Sequence, residues 1–410
     1  MFERLQLSEP DALGQMIVQS LKDTRAQKLD LGVGVYVDET GAPPIMQVVK
    51  QAEKQVMGAQ KHKSYPGMAG DQAFCGTIVE LLCPGASPPI AACQTVGGSG
   101  ALRILSDVLA AAAGPGTTLW MPSPTWPNHT PLLKHPHWNV QPYCFTDRSI
   151  RRFSLQILQN DLAKARPGDV ILLHACCHNP TGIDPDDIEF DQIVDLIKNA
   201  GLVPLIDLAY LGYGAGLTPD LARLTRLVDA IPELAIAFSA SKSFGVYCDR
   251  VGTALVKCFR AQDREAVQAA MIDTIRQNYS MPPTHGAAIV QQVLQDADLR
   301  QAWQVELESF RARIIDNRSL LHAAFGQHGL ADLAEGLLQQ RGMFATLGLA
   351  NSVVEKLRVD HAVYLGPEGR INLSGLSAQK ADRLTVLLAR CLSDHHSNHR
   401  TDRHHQLVAR

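Results

Sequence analysis

The sequence predicts an α/β fold: a large domain with a mostly parallel central sheet flanked by helices, plus a smaller α+β domain built from the N-terminal segment and the C-terminal part. Three observations carry this. From about residue 45 to 310, short apolar runs alternate with stretches of helical periodicity, the pattern of βαβ units. Several of these runs end on a polar residue, as strands do when they deliver side chains to the carboxyl edge of a parallel sheet. A chain of 410 residues also exceeds what one core usually accommodates, which favours two domains.

Taken in order, Leu13, Met16, Ile17 and Leu21 fall at helical spacing after Pro10, so a helix is expected over Asp11–Leu21. Residues 1–43 then belong to the small domain and to a dimer contact. Strands are expected at Thr118–Met121, Val170–His174, Val203–Asp207, Ala235–Ser239 and Thr253–Val256, within a large domain over 44–309. A long helical pattern from Trp303 to Leu321 opens the small C-terminal domain, 310–392, and a polar, histidine-rich tail over 393–410 reads as disordered.

Composition narrows the function. Hydrophobic residues make up 46% and charged residues 19%, as in ordinary globular enzymes, and a formal charge of -3 gives no basic face for nucleic acid or an anionic membrane. The first residues lack the unbroken apolar stretch of an export signal, and nine scattered cysteines do not resemble a disulfide framework. A cytoplasmic protein acting on small molecules is the expectation.

The chemistry concentrates between residues 207 and 250. Lys242 sits between an apolar run and a small-residue turn, with Asp207 and Tyr210 upstream and Arg250 downstream. Together they suit pyridoxal 5′-phosphate, whose aldehyde needs a partly desolvated amine to form a Schiff base. Its ring becomes an electron sink only when a buried carboxylate keeps the ring nitrogen protonated. Asp207, ending the run Leu202–Ile206, suits that task, and the Tyr210 phenol can reach the ring oxygen. Each residue alone has a plainer explanation, as a cap, a turn former or a surface loop. Their conjunction is what points to the cofactor.

Gly97-Gly98-Ser99-Gly100 precedes a helical run, so free N–H groups and the helix dipole can receive a phosphate, with Ser99, Ser239 and Arg250 supplying further contacts. The segment lacks the spacing of a dinucleotide fingerprint and the lysine of a P-loop. His174-Ala175-Cys176-Cys177-His178 gathers metal-donor types, but strand alternation turns them to opposite faces and no second cluster follows at zinc spacing, so no metal is expected. Asn179, before Pro180, sits where its amide can reach the ring oxygen. Arg276 and Arg370 are candidates for carboxylate recognition, though spacing alone does not separate them from surface arginines.

These residues together resemble the aspartate and aromatic aminotransferase family, subclass Iα of pyridoxal phosphate fold type I. The segments that carry the likeness include Leu31–Tyr36, Pro122–His129, His174–Asp184, Asp207–Tyr210, Ser239–Gly252, Asn278–Pro283 and Gly342–Phe344. The resemblance implies that Lys242 is the Schiff-base lysine and proton shuttle, and that Asp207, supported by His129, partners the pyridinium. It further implies that Asn179 and Tyr210 bind the ring oxygen, that Trp126 stacks on the ring, and that Gly98, Ser99, Ser239 and Arg250 form the phosphate cup. Tyr65 matches a tyrosine supplied by the neighbouring subunit of a homodimer. Arg370 matches the binder of the substrate α-carboxylate, with Gly34, Trp126 and Asn179 also at the substrate. Arg276 matches the arginine that reaches across the dimer to a distal carboxylate. Pro124 and Pro180 match positions that are cis in the family.

The departures bear on substrate. Met281 and Ser99 stand where aspartate-specific members carry asparagine and threonine, and Val37, Pro43 and Ser64 replace residues that are often polar or larger. A less polar pocket lowers the desolvation cost of an aromatic side chain. The implied reaction is a ping-pong exchange between an aromatic amino acid or aspartate and 2-oxoglutarate. Strict aspartate specificity is the alternative; a decarboxylase or lyase using the same cofactor, or a cofactor-binding regulator, is more remote.

Overall fold

The structure, a computed structural model, describes residues 2–4, 12–84, 90–147 and 150–408; side chains of residue 4 and of 395–408 fall outside that description. The chain divides into two compact units, 44–312 and 1–43 together with 313–410, with the division inside the long helix Ala297–Gln327.

Unit 44–312 is built on a seven-stranded sheet. Its strands are β1 (Ile90–Val96), β2 (Thr118–Pro122), β3 (Asn139–Tyr143), β4 (Val170–His174), β5 (Val203–Leu208), β6 (Leu234–Ser239) and β7 (Val251–Lys257), in the spatial order β1-β7-β6-β5-β4-β2-β3. All pairings are parallel except those of β7, which runs antiparallel to both β1 and β6. The sequence pattern located this strand but not its reversed direction. It also passed over β1 and β3. The β1 sequence, Ile-Ala-Ala-Cys-Gln-Thr-Val, is short on large apolar residues, and β3 is a mostly exposed edge strand bearing Pro142.

One face of the sheet packs against the helices Gly97–Ala113 and Arg264–Asn278. Leu102 and Leu105 on the first and Met271 and Ile275 on the second meet Leu172 and Leu205 of the sheet in one buried cluster. Fully burying side chains of this size contributes about 1.5–3 kcal/mol each, so the sheet edge is a rigid platform. No helix among the described residues is long and apolar enough to cross a membrane.

The other unit carries two small sheets. Leu29–Asp30 pairs in parallel with Val363–Tyr364, and Phe344–Thr346 pairs antiparallel with Arg370–Asn372. The expected first helix occupies Ala12–Lys22. The closing helix Ala378–Val408 extends through most of the tail read as disordered. The tail histidines, His395, His396, His399, His404 and His405, have side chains outside the described residues.

Candidate active site

The strands place the chemistry along one edge of the sheet. His174 ends β4 and is in register with Asp207 of β5, which is in register with Ala237 of β6. Ser239 ends β6 and faces Gly252 of β7, and Val251 faces Val96, the last residue of β1 before Gly97. Because β7 is reversed, its beginning lies where its neighbours end. Arg250, one residue ahead of it, therefore arrives beside Gly97 and Ser239.

Asp207 is the electrostatic centre. It is 7% exposed, and His129, fully buried, places Nε2 3.1 Å from its Oδ2. The other ring nitrogen of His129, Nδ1, lies 2.7 Å from the Thr125 hydroxyl, so the imidazole is held at both ends. The ring of Trp126 meets His129 edge-on at 5.2 Å. Burial opposes ionisation of Asp207, yet the hydrogen bond with His129 and the positive charge of Lys242 hold its pKa below the usual carboxylate value. His174 brings Nε2 to 3.9 Å from the same carboxylate oxygen, and burial pushes its own pKa down to about 4. The sequence gives His174 a place at a strand end, in a metal-type motif and in a family-like segment, but no role beside Asp207. His129, His174 and Asp207 do form a cluster of three possible donors within 4.8 Å among the described residues, a grouping the sequence motif did not contain.

Lys242 stands in a short helical turn, Ala240–Ser243, directly after β6. Burial lowers the pKa of its amine, Asp207 acts in the opposite sense, and Arg250 lowers it further. Its Nζ lies 5.0 Å from the centre of the Tyr210 ring. The turn is fastened from below: Trp303 donates from Nε1 to the Ser243 carbonyl at 2.7 Å and stacks on Phe244, ring centres 4.5 Å apart and planes 6° apart. Neither Trp303 nor Thr125 was singled out from sequence, because the contacts that give them a role arise only on folding.

The phosphate-type cradle is made of backbone with side chains removed. Gly97 adopts φ of +64°, and a Cβ there would come 2.4 Å from Arg250 Nη2. At Gly98 a Cβ would come 2.8 Å from that of Ser239. Arg250 is held by the Ser241 hydroxyl and the Tyr247 carbonyl, both at 3.2 Å, and Ser239 donates to Ser241 at 3.2 Å. Buried donors, a cation and a helix N-terminus thus converge on Gly97–Ser99, which suits a dianionic phosphate. A buried ionised carboxylate, an amine of lowered pKa and this cradle on one sheet edge fit pyridoxal phosphate.

The remaining expected residues lie elsewhere. Asn179 follows β4, is buried, and precedes Pro180 through a cis peptide bond, as Ser123 precedes Pro124. Tyr65 is 85% exposed, and Arg276 is exposed on the helix Arg264–Asn278 with Nη1 3.2 Å from Met68 Sδ. Arg370 and Gly34 belong to the other unit. There the Arg370 guanidinium stacks over Phe344 at 4.4 Å and donates to the Gly32 carbonyl at 2.9 Å, while Asn372 donates to Val33 and Val35, each at 2.7 Å. These bonds fix the segment carrying Gly34 beside Arg370.

Residues 26–387 match the aminotransferase class I and II family over most of the chain. The chain belongs to this family. It is 40% identical over 377 residues to the aromatic-amino-acid aminotransferase of Pseudomonas aeruginosa, covering 91% of this chain and 94% of the relative. It is 35% identical over 382 residues to the aspartate aminotransferase of Escherichia coli, covering 92% and 96%. A solved aromatic-amino-acid aminotransferase from Burkholderia pseudomallei, covalently bound to pyridoxal phosphate, superposes with a TM-score of 0.89 at 32% identity, covering 96% of this chain and 99% of that one. The protein is a transaminase, and its cofactor is pyridoxal 5′-phosphate.

Proposed function

We propose that this aminotransferase exchanges an amino group between an aromatic amino acid or aspartate and 2-oxoglutarate, acting as a homodimer with shared active sites in the cytoplasm. The observation that carries the site assignment is the buried Asp207–His129 pair on the same sheet edge as Lys242. Bound cofactor supplies the aldehyde and the electron-withdrawing ring on which amino transfer depends. The ionised Asp207 carboxylate holds a proton on the ring nitrogen, and His129 keeps that carboxylate oriented. Tyr210 and Asn179 bind the ring oxygen, Trp126 covers the ring face, and the N–H groups of Gly98 and Ser99, with Ser239 and Arg250, hold the phosphate. Lys242 Nζ, its pKa lowered by burial, takes the proton from the substrate α-carbon and later returns one. Arg370 clamps the α-carboxylate with two parallel hydrogen bonds, with Gly34 leaving room beside it.

The exposure of Tyr65 and Arg276 on their own chain supports their use by a second copy, where Tyr65 meets the cofactor and Arg276 the distal carboxylate. Relatives named for aromatic and for aspartate substrates are both near in sequence. Met281, Ser99, Val37, Pro43 and Ser64 reduce the polarity expected of an aspartate-only pocket, which supports the broader reading. Nine cysteines, none of them in a disulfide among the described residues, fit a reducing compartment. The deciding experiment is borohydride trapping with peptide mapping, followed by a donor panel of phenylalanine, tyrosine, aspartate and leucine with 2-oxoglutarate. A label on any residue other than Lys242 overturns the site, and activity with aspartate alone overturns the substrate range.

A further inference from the structure

A second buried carboxylate lies behind the lysine turn, and the site described above leaves it without a task. Asp220, 2% exposed in the first turn of the helix Leu217–Ala230, accepts three backbone N–H groups. Gly212 donates to Oδ2 at 2.9 Å, Gly214 to Oδ2 at 3.1 Å and Ala215 to Oδ1 at 2.9 Å. All three belong to the loop that follows Tyr210. That loop is tied to the lysine turn by two bonds in opposite directions: Tyr213 donates from its phenol to the Lys242 carbonyl at 3.3 Å, and Ser243 donates to the Leu211 carbonyl at 2.8 Å. The Cys176 thiol donates to the Tyr210 carbonyl at 3.5 Å. Space is tight throughout. A Cβ on Gly212 would come 2.5 Å from Leu307 Cδ2, and one on Gly214 would come 2.5 Å from Asp220 Oδ1.

We propose that Asp220 is a positioning residue of the active site: its carboxylate braces the 211–216 loop, and so fixes Tyr210 and Tyr213 against the turn that carries Lys242. Asp220 touches no reacting atom. It acts because three convergent N–H donors require an acceptor, and only an ionised carboxylate offers enough lone pairs without presenting a donor of its own. The groups that bear on its charge are Asp184, which opposes ionisation, and Arg311, which favours it and is itself paired with Glu308 at 2.6 Å; the thiols of Cys176 and Cys177 also lie near. Burial and Asp184 outweigh the three bonds and push its pKa up to about 6. The brace is therefore complete above that pH and weakens below it, when one oxygen becomes a donor facing donors.

The inference rests on the cofactor reading, and the test separates the two. In holoenzyme and cofactor-free protein, Asp220→Asn is expected to lower amide-exchange protection over 211–216 by about tenfold or more. In holoenzyme it should lower kcat about tenfold while KM for the amino donor stays within about twofold. The pH at which the cofactor's visible band changes should rise by on the order of half a unit, because a phenol held less firmly stabilises the ring oxygen anion less. Unchanged exchange in either form of the protein overturns the brace. Loosened exchange with an unmoved band and unchanged kcat overturns the positioning role. Should Asp220→Asn fail to fold, Gly214→Ala displaces the carboxylate at an ordinary φ and is read the same way. A wild-type protein with no visible band, by contrast, sinks the cofactor assignment and leaves the exchange result to decide the brace.

Discussion

His129 Nε2 lies 3.1 Å from Asp207 Oδ2, and with its opposite nitrogen at the Thr125 hydroxyl the imidazole cannot turn away from the carboxylate. The buried acid on this sheet edge is therefore fixed in direction as well as in charge.

Replacing Asp207 by Asn keeps the shape and removes the charge. Losing one preorganised electrostatic partner at a reacting group raises a barrier by about 3–4 kcal/mol, so kcat measured at saturating cofactor should fall about 10²–10³-fold. A loss under about threefold would show that ring protonation does not depend on this residue.

Arg276→Ala tests the proposed reach of this residue to a distal carboxylate in a second copy. A charge-assisted pair with a distal carboxylate serves only dicarboxylates, so kcat/KM for aspartate should fall about a hundredfold while that for phenylalanine stays within about threefold. Equal losses for both substrates would remove Arg276 from the substrate site.

Gly97→Ala addresses the phosphate cradle. A side chain at φ of +64° costs about 1–2 kcal/mol on backbone grounds alone, and it would also press on the Arg250 guanidinium. The cofactor Kd, followed by spectral titration, should rise about tenfold or more. Unchanged affinity would mean that the phosphate binds elsewhere.

Trp303→Phe keeps the stacking on Phe244 and deletes the bond to the Ser243 carbonyl. An orphaned buried carbonyl together with lost volume should cost about 1–3 kcal/mol, read from the midpoint of denaturant unfolding. The cofactor's visible band should broaden or shift as well, since the lysine turn loses its floor.

Acid stability has opposing contributions in one pH window. His174, with its folded pKa down at about 4, is more easily protonated when unfolded, so its contribution is whole above about pH 6.5 and is lost as pH falls towards 4. Buried His178, also held well below the usual value, acts in the same sense. Asp220, raised from 3.8 to about 6, takes up its proton more readily when folded, so its contribution is present below pH 3.8 and is lost as pH rises through 6. The two kinds of group partly cancel. Asp220→Asn should therefore make unfolding free energy fall more steeply between about pH 6.5 and 4, and a flatter profile in urea titrations would refute this balance.

The sequence was most informative where function and local pattern coincide. Asp207 and Arg250 sit within one residue of a strand end and Lys242 three residues beyond one, and strand ends are visible as the last residue of an apolar run. Hence β4, β5 and β6 were located to within a residue or two at their starts. Partnership across the chain was not visible. Asp220 reads as an ordinary acid in the first turn of a helix, Trp303 as one apolar position in a long amphipathic pattern, and His174 as half of a metal motif. Trp303 and His174 meet partners dozens of residues away, at Ser243 and Asp207, and Asp220 is set by a loop that folds back on its own helix. The direction of β7 was hidden for a related reason, since alternation of polarity is the same whichever way a strand runs.

That reversal has a geometric consequence. Seven residues of strand span roughly 23 Å, so had β7 followed the direction of its neighbours, the guanidinium preceding it would have emerged at the far rim of the sheet. A single change of heading brings residues on either side of one short loop, Lys242 and Arg250, to the same rim of the sheet, as the proposed grip on opposite ends of one small molecule requires. The covalent and ionic anchors proposed for the two would then be held within the length of eight peptide units and could not drift apart independently.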